Sequence, residues 1–251
     1  MYMSITCVSA WWSVGNKFKG GATAQIQHMK KTLLLNSDFI FFYSDDEIRD
    51  KVSEIRKDLN TTFIKYDIAD FSTYKFSPNM RKSIHYGSNW CPSKELWLLW
   101  MEKINLCLKA IKEGDIKSDW ICWYDATLCK YRLGRQDVPC DMWPNVEKMN
   151  LLDKNKINCS VKNDNKMNNG EWPPLVTATA FIMHKDFVPK YAKIFYELVD
   201  ELFENVNNGT HKIRGTDQFN EQYPLTYLYH LRPELYNPIA EGFGSCIEIM
   251  K

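Results

Sequence analysis

Asp119–Arg132 reads DWICWYDATLCKYR. An uninterrupted apolar run, Trp120–Tyr124, leads straight into Asp125, then small Ala126 and hydroxyl-bearing Thr127. A run of this length and composition reads as a β-strand covered on both faces, the kind found at the centre of a parallel sheet. Its last residue is a carboxylate, and charge is expensive to bury without a partner. Two readings of Asp125 stand side by side. In open α/β sheets ligands bind beyond the carboxyl ends of the strands, where one carboxylate can join phosphate oxygens around Mg²⁺ or Mn²⁺. Otherwise Asp125 caps a turn or pairs with Arg132 or Arg135.

Working outward, strands and helices alternate. Upstream lies a helix over Lys94–Glu113 with the stripe Trp97, Met101, Ile104, Leu108 and Ile111, preceded by a loop-like Ser77–Ser93. Earlier still, the strands Ile5–Trp12, Asp38–Tyr43 and Thr61–Ile68 are separated by two amphipathic patterns. These are Ala22, Ile26, Met29, Leu33 and Ile48, Val52, Ile55, Leu59. Ser44-Asp45-Asp46-Glu47 is read as a capping box with Ser44 at its head rather than an acidic metal cluster, although Asp45 could touch a nucleotide from there. Downstream, Leu133–Pro174 loses all periodicity and is expected to be an irregular insertion, a lid or an acceptor-side segment. Leu175–Met183 is again a strand. Asp186 can cap a helix with the stripe Tyr191, Phe195, Leu198 and Leu202, and a last helical piece begins near Thr216 and meets Pro224. The alternation predicts an α/β fold with a mostly parallel central sheet flanked by helices, in a single domain over residues 1–251.

Totals narrow the classes. Lys+Arg 32 against Asp+Glu 31 leaves a net charge of +1, too little for the broad cationic surface that nucleic-acid binding needs. No apolar run is long enough to span a bilayer, and the first residues lack a signal-peptide pattern. Eight cysteines without a CxxC pair read as reduced, buried thiols, so a cytoplasmic protein is expected. The 9 Trp, 13 Tyr and 13 Phe serve a core first, though flat rings also line carbohydrate pockets.

The remaining candidates are small clusters. Gly15–Gly21 (GNKFKGG) follows the first strand, but it is neither GxGxxG nor a Walker A loop, which speaks against a dinucleotide or kinase-like enzyme. Arg81, Lys82, His85 and Lys94 could neutralise a leaving diphosphate, or be ordinary solvated charge. Gly215–Glu221 (GTDQFNE) sets Asp217 and Glu221 one helical turn apart, either in a capped first turn or aimed at a pocket as base, nucleophile or sugar ligand.

The order of these landmarks resembles small glycosyltransferases of the GT-A type, in particular the HtrL/YibB (WlaTC-like) family. The stretches that carry it are ITCVSAWW, DFIFFYSDDE, SKELWLLWMEKINLCLKAI, DWICWYDATLCKYR, TATAFIMHKDFVPKYAKIFYELVDELF and GTDQFNEQYPLTYLYHLRPELYN. The resemblance implies a GT-A-like single domain, with a Rossmann-like nucleotide-binding half and a smaller acceptor side. It implies transfer of a sugar from a nucleoside diphosphate sugar, a UDP- or GDP-sugar, to a hydroxyl of a glycan or glycoprotein acceptor, assisted by Mn²⁺ or Mg²⁺. On that basis Ser9, Ala10 and Trp11 border the nucleoside, Arg81 and Lys94 approach the diphosphate, and Asp125 holds the metal. Asp217 or Glu221 serves the transferred sugar or the acceptor. One departure stands out: the family type carries Asp-x-Asp, and this chain has Asp125-Ala126-Thr127. The incomplete motif keeps an alternative open, a non-catalytic nucleotide-sugar or carbohydrate-binding module on the same fold.

Overall fold

The computed structural model describes residues 4–14, 21–82, 93–128, 143–162, 175–204 and 220–250. Its strands are β1 (Ile5–Trp11), β2 (Asp38–Tyr43), β3 (Thr61–Lys65), β4 (Trp120–Tyr124), β5 (Ile157–Lys162), β6 (Leu175–His184) and β7 (Tyr236–Glu241). They form one sheet in the order β3-β2-β1-β4-β6-β5-β7. Every pairing is parallel except those of β6, which runs against both β4 and β5. The helices are α1 (Gly21–Thr32), α2 (Asp46–Ile55), α3 (Lys94–Glu113), α4 (Val188–Glu204), α5 (Gln222–Leu231) and the short α6 (Ser245–Glu248). The expected α/β architecture with a mostly parallel sheet is the one found.

Side chains alternate across the sheet and build a core on each face. Cys7, Phe39, Phe41, Cys122 and Tyr124 face one side, where they meet Met29 of α1, Val52 of α2 and Ile247 of α6. Val8, Ala10, Ile40, Phe42 and Trp123 face the other, covered by Trp97, Met101 and Ile104 of α3 and by Tyr191, Phe195 and Leu202 of α4. By the same alternation Asp125, two residues after Trp123, points to the α3 side. Gly114 ends α3 because the chain passes very close to β2 there. A Cβ at this position would sit 2.2 Å from Ile40 Cδ1.

Several local expectations are corrected. The N-cap of α2 is Asp45, whose carboxylate accepts from the Glu47 N–H at 2.9 Å, and not Ser44; Glu47 instead pairs with Lys51 one turn on. The third strand stops at Lys65, a 3₁₀ turn over Ile68–Asp70 follows it, and a 3₁₀ run over Ser72–Lys82 extends into the start of the expected loop. Buried Glu102 of α3 caps that 3₁₀ run by accepting from the Ser72 and Thr73 N–H groups, each at 3.0 Å, and from Thr73 Oγ1 at 2.8 Å. Asp186 does not head α4. Phe187 C=O closes the first turn, and the Asp186 carboxylate lies 3.5 Å from His184 Nδ1. Pro224 does not end the last helix either. It sits in the first turn of α5, where a missing N–H costs nothing.

The largest correction falls in the presumed irregular insertion, which contains β5. Its sequence, INCSVK, hides the strand because its inward polar residues are used as hydrogen-bonding posts. Asn158 Oδ1 accepts from Asp153 N–H at 2.8 Å and Asn237 Nδ2 at 2.7 Å, while its Nδ2 donates to Ile182 C=O at 3.1 Å. Ser160 Oγ accepts from Cys246 N–H at 2.7 Å. Residues 133–142 and 163–174 of that stretch lie outside the described residues. The cysteines that are described, Cys7, Cys107, Cys122, Cys159 and Cys246, are all free and buried, and no described helix is long and apolar enough to cross a membrane.

Candidate functional site

The site forms where β4 ends. Trp123 is in register with Val8 of β1 and Tyr124 with Ala180 of β6. The Asp125 N–H adds a last rung to Thr179 C=O at 3.0 Å, and the Leu128 N–H closes a turn back onto Asp125 C=O at 2.9 Å. Beside this end β6 bulges. Cys159 faces Phe181, yet Val161 already faces Val176, so extra β6 residues are looped out next to Asp125. Such bulges re-aim side chains and end pairing, and they are common at functional sites.

The Asp125 carboxylate has a fixed inner oxygen. Oδ1 accepts from Trp123 Nε1 at 2.7 Å and from Lys103 Nζ at 3.0 Å. Lys103, on the middle of α3, is only 6% exposed and donates to three acceptors, the full capacity of an ammonium. The other two are Glu221 Oε1 at 3.0 Å and Ala178 C=O at 2.9 Å. The Nζ also lies 5.6 Å from the centre of the Trp123 ring. Burial alone would lower the Lys103 pKa, but Asp125 and Glu221 outweigh it and hold the group above the ordinary lysine range. One ammonium thus joins α3, β4, β6 and the N-terminus of α5. Two carboxylates and one cation leave the trio with a net charge of −1. Among the described residues Asp125 Oδ2 and Glu221 Oε2 accept no hydrogen bond, and the two side chains keep 20% and 10% of their surface exposed.

The α3 turn that presents Lys103 is pinned on both sides. The Tyr196 hydroxyl of α4 donates to Met101 C=O at 2.7 Å and accepts from the Asn105 N–H at 3.1 Å, so it bridges the backbone of that turn. Glu102 holds the 3₁₀ run on the same turn. Near Asp125 and Glu221, the buried Thr179 Oγ1, Gln222 Oε1 and Tyr223 OH have no hydrogen-bond partner among the described residues. Buried polar atoms left this way are what a water or a ligand satisfies.

The residues singled out in the sequence fall into three groups. Asp125 and Glu221 are brought together through Lys103. Ser9, Ala10 and Trp11 lie at the carboxyl end of β1 beside β4. Ala10 is buried on the Asp125 face, whereas Ser9 and half-buried Trp11 point to the opposite one, the Ser9 hydroxyl being buried without a partner among the described residues. Lys94 opens α3, with its Nζ 3.4 Å from Ser77 Oγ. It stands nine residues before Lys103, about 14 Å along the helix axis. Arg81 belongs to the 3₁₀ run by its backbone, its side chain lying outside the description. Asp217, His85, Arg132 and Arg135 also lie outside the described residues.

Lys103 escaped the reading of the sequence. Its signal was a cation on a second helical stripe, Leu96, Trp100, Lys103, Cys107 and Ala110, where every neighbour is apolar. The partner expected for Asp125 from the sequence was Arg132 or Arg135, close to it in the chain.

No group of three His, Cys, Asp or Glu side chains that could hold a metal occurs among the described residues. The donor set nevertheless suits a hard cation of the Mg²⁺ or Mn²⁺ kind, which keeps waters and needs one or two protein carboxylates beside substrate phosphates. Asp125 Oδ2 is the oxygen best presented for it, with Glu221 Oε2 on the other side of Lys103.

No family model and no curated protein matches this chain. Solved structures do. Mouse xyloside xylosyltransferase 1, in its apo form, superposes with a TM-score of 0.52 at 15% identity, covering 94% of this chain and 84% of that one. Looser likenesses include a cytidylyltransferase from Leptospira borgpetersenii, with a TM-score of 0.42 at 10% identity over 96% of this chain and 76% of that one. Another is core-mannan synthase A from Aspergillus fumigatus in a Mn/GDP form, with a TM-score of 0.42 at 11% identity over 91% and 70%. At 15% identity the likeness to the xylosyltransferase is one of fold alone, and the fold is GT-A-like.

Proposed function

We propose that this chain is a GT-A-type glycosyltransferase, allied to the HtrL/YibB group by the order of its motifs, that moves a sugar from a UDP- or GDP-sugar to a hydroxyl of a glycan or glycoprotein. The observation that carries the reading is Asp125, a half-buried carboxylate at the carboxyl end of a central strand with one oxygen anchored and the other accepting no hydrogen bond among the described residues. That edge is where open α/β sheets take their ligands.

Transfer breaks the bond between the anomeric carbon and the diphosphate oxygen, and negative charge collects on the departing diphosphate. A divalent cation held by Asp125 Oδ2 would supply Lewis-acid stabilisation of that charge. The chain's own contribution is preorganisation. Trp123 and Lys103 fix the Asp125 carboxylate before any ligand arrives, so no reorientation is needed when charge develops. Lys94 and Arg81 are assigned to the leaving diphosphate as charge-assisted donors, and Ser9, Ala10 and Trp11 to the border of the nucleoside. Asp217, or Glu221 through Oε2, is assigned to the acceptor hydroxyl, whose proton must leave as the new bond forms.

One observation favours the second reading, a binding module without catalysis: Lys103 occupies an oxygen of each carboxylate, so the acidic motif offers little beyond Asp125 Oδ2. A thermal-shift screen of UDP, GDP, CDP and their sugars, with and without Mn²⁺, separates the two. The transferase reading expects one diphosphate with Mn²⁺ to raise the melting temperature by about 5–10 °C at a hundredfold excess over Kd, with slow hydrolysis of the matching sugar donor. Stabilisation by sugars alone would support the binding module, and no response to any nucleotide would contradict the transferase.

A further inference from the structure

We infer that Lys103 sets what the Asp125–Glu221 pair can hold: with its ammonium in place, the two carboxylates take up a divalent cation only together with a nucleoside diphosphate, and not as the free ion. The inference rests on the donor-site reading of Asp125 given above.

Charge is the first reason. A bare pair of adjacent carboxylates is a −2 site, whereas with Lys103 bridging Asp125 Oδ1 and Glu221 Oε1, each at 3.0 Å, it is a −1 site. An incoming cation at Oδ2 would have that ammonium as a near neighbour on the same carboxylate, where limited solvent leaves repulsion poorly screened. Donor count is the second. The outward oxygens, Oδ2 and Oε2, belong to different side chains, and these two, the carboxylate oxygens that the described residues offer, fall far short of the roughly six a hard cation requires. A diphosphate supplies both missing parts, negative charge and further oxygens.

Lys103 cannot step aside to make room. Its Nζ is tied a third time to Ala178 C=O, its side chain is 6% exposed, and Tyr196 and Glu102 pin the turn that carries it. An ammonium leaving these acceptors would be buried without partners. Lys103 is therefore a positioning residue. It acts through Asp125 and Glu221, holding one oxygen of each inward and cancelling the affinity that a free acidic pair would have. The consequence for turnover is that Asp125 and Glu221 would hold a cation only while a diphosphate is bound beside them.

The test follows free Mn²⁺ by electron paramagnetic resonance as the ion is titrated into the purified chain, alone and with UDP, GDP or CDP. In the wild type, one nucleoside diphosphate should tighten Mn²⁺ retention by at least about tenfold over the ion alone, corrected for metal–nucleotide complexes in buffer. Lys103→Gln keeps N–H donors toward both carboxylates but drops the charge, so it should bind free Mn²⁺ about tenfold more tightly than the wild type or better. A lysine of purely structural importance would not produce a gain on removal. Glu221→Gln brings the trio to zero charge and should weaken retention of the Mn²⁺–diphosphate complex. If Lys103→Gln does not fold, the wild-type comparison and Glu221→Gln decide the matter. Wild-type chain that binds Mn²⁺ alone as tightly as with diphosphate overturns the inference and leaves the donor site standing. Wild-type free-ion affinity in a folded Lys103→Gln variant does the same. Failure of all three diphosphates to bind, with or without Mn²⁺, overturns both.

Discussion

Lys103→Met is expected to lower the folding stability by about 3–5 kcal/mol, the range seen when one partner of a buried ion pair is removed. Methionine fills much of the space but leaves Asp125 Oδ1, Glu221 Oε1 and Ala178 C=O without their shared donor. Two like charges that were bridged by one nitrogen then face each other in a poorly solvated setting. The check is a urea titration, in which the midpoint should fall with an unchanged slope. A loss below about 1 kcal/mol would mean that the trio behaves like a solvent-screened surface pair. Adding Glu221→Gln should recover part of the loss, because the two changes share one network and are not additive. The pH dependence follows from the sign of the shift. The Lys103 pKa is raised on folding, so its stabilising contribution is fully present below the ordinary lysine range and is lost only as strong alkali carries the pH through the raised value. Across neutral pH the lysine itself should add no slope.

Asp125→Asn is expected to lower sugar transfer by about 10²–10³-fold or more, the scale of losing one preorganised electrostatic contact at the reacting centre, while the fold survives. The amide oxygen can still accept from Trp123 Nε1 and Lys103 Nζ, so the inner half of the arrangement persists. What disappears is the anionic outer oxygen. Initial-rate assays with the donor found by the thermal-shift screen, paired with circular dichroism, separate the two effects. Full turnover in a folded Asp125→Asn variant would remove Asp125 from the mechanism.

How far the sequence could be read depended on whether each residue's environment was local. β2 and α3 were read to the residue, because DFIFFY is a continuous apolar run and the α3 stripe repeats over about four turns with Ser93 before it and Gly114 after it. Asp125 stood out for the same reason, as the one charge closing an apolar strand. β5 was not legible, since Asn158 and Ser160 look like loop residues until their partners, Asp153, Asn237 and Cys246, come from elsewhere in the chain. Lys103 was hidden by distance in a similar way. It lies 22 positions before Asp125 and 118 before Glu221, and the packing of α3 against β4 and of α5 against β6 joins them. The cap of α2 shifted by one residue, from Ser44 to Asp45, because two acceptors compete at that boundary and backbone geometry chooses between them.

The most direct test of the site is a crystal structure with Mn²⁺ and the nucleoside diphosphate that stabilises the chain best. The expected result is a pyrophosphate at the carboxyl end of β4, linked to Asp125 Oδ2 through the cation, with Lys103 still bridging Asp125 Oδ1 and Glu221. A diphosphate seated elsewhere, with Asp125 touching only Lys103 and Trp123, would contradict it.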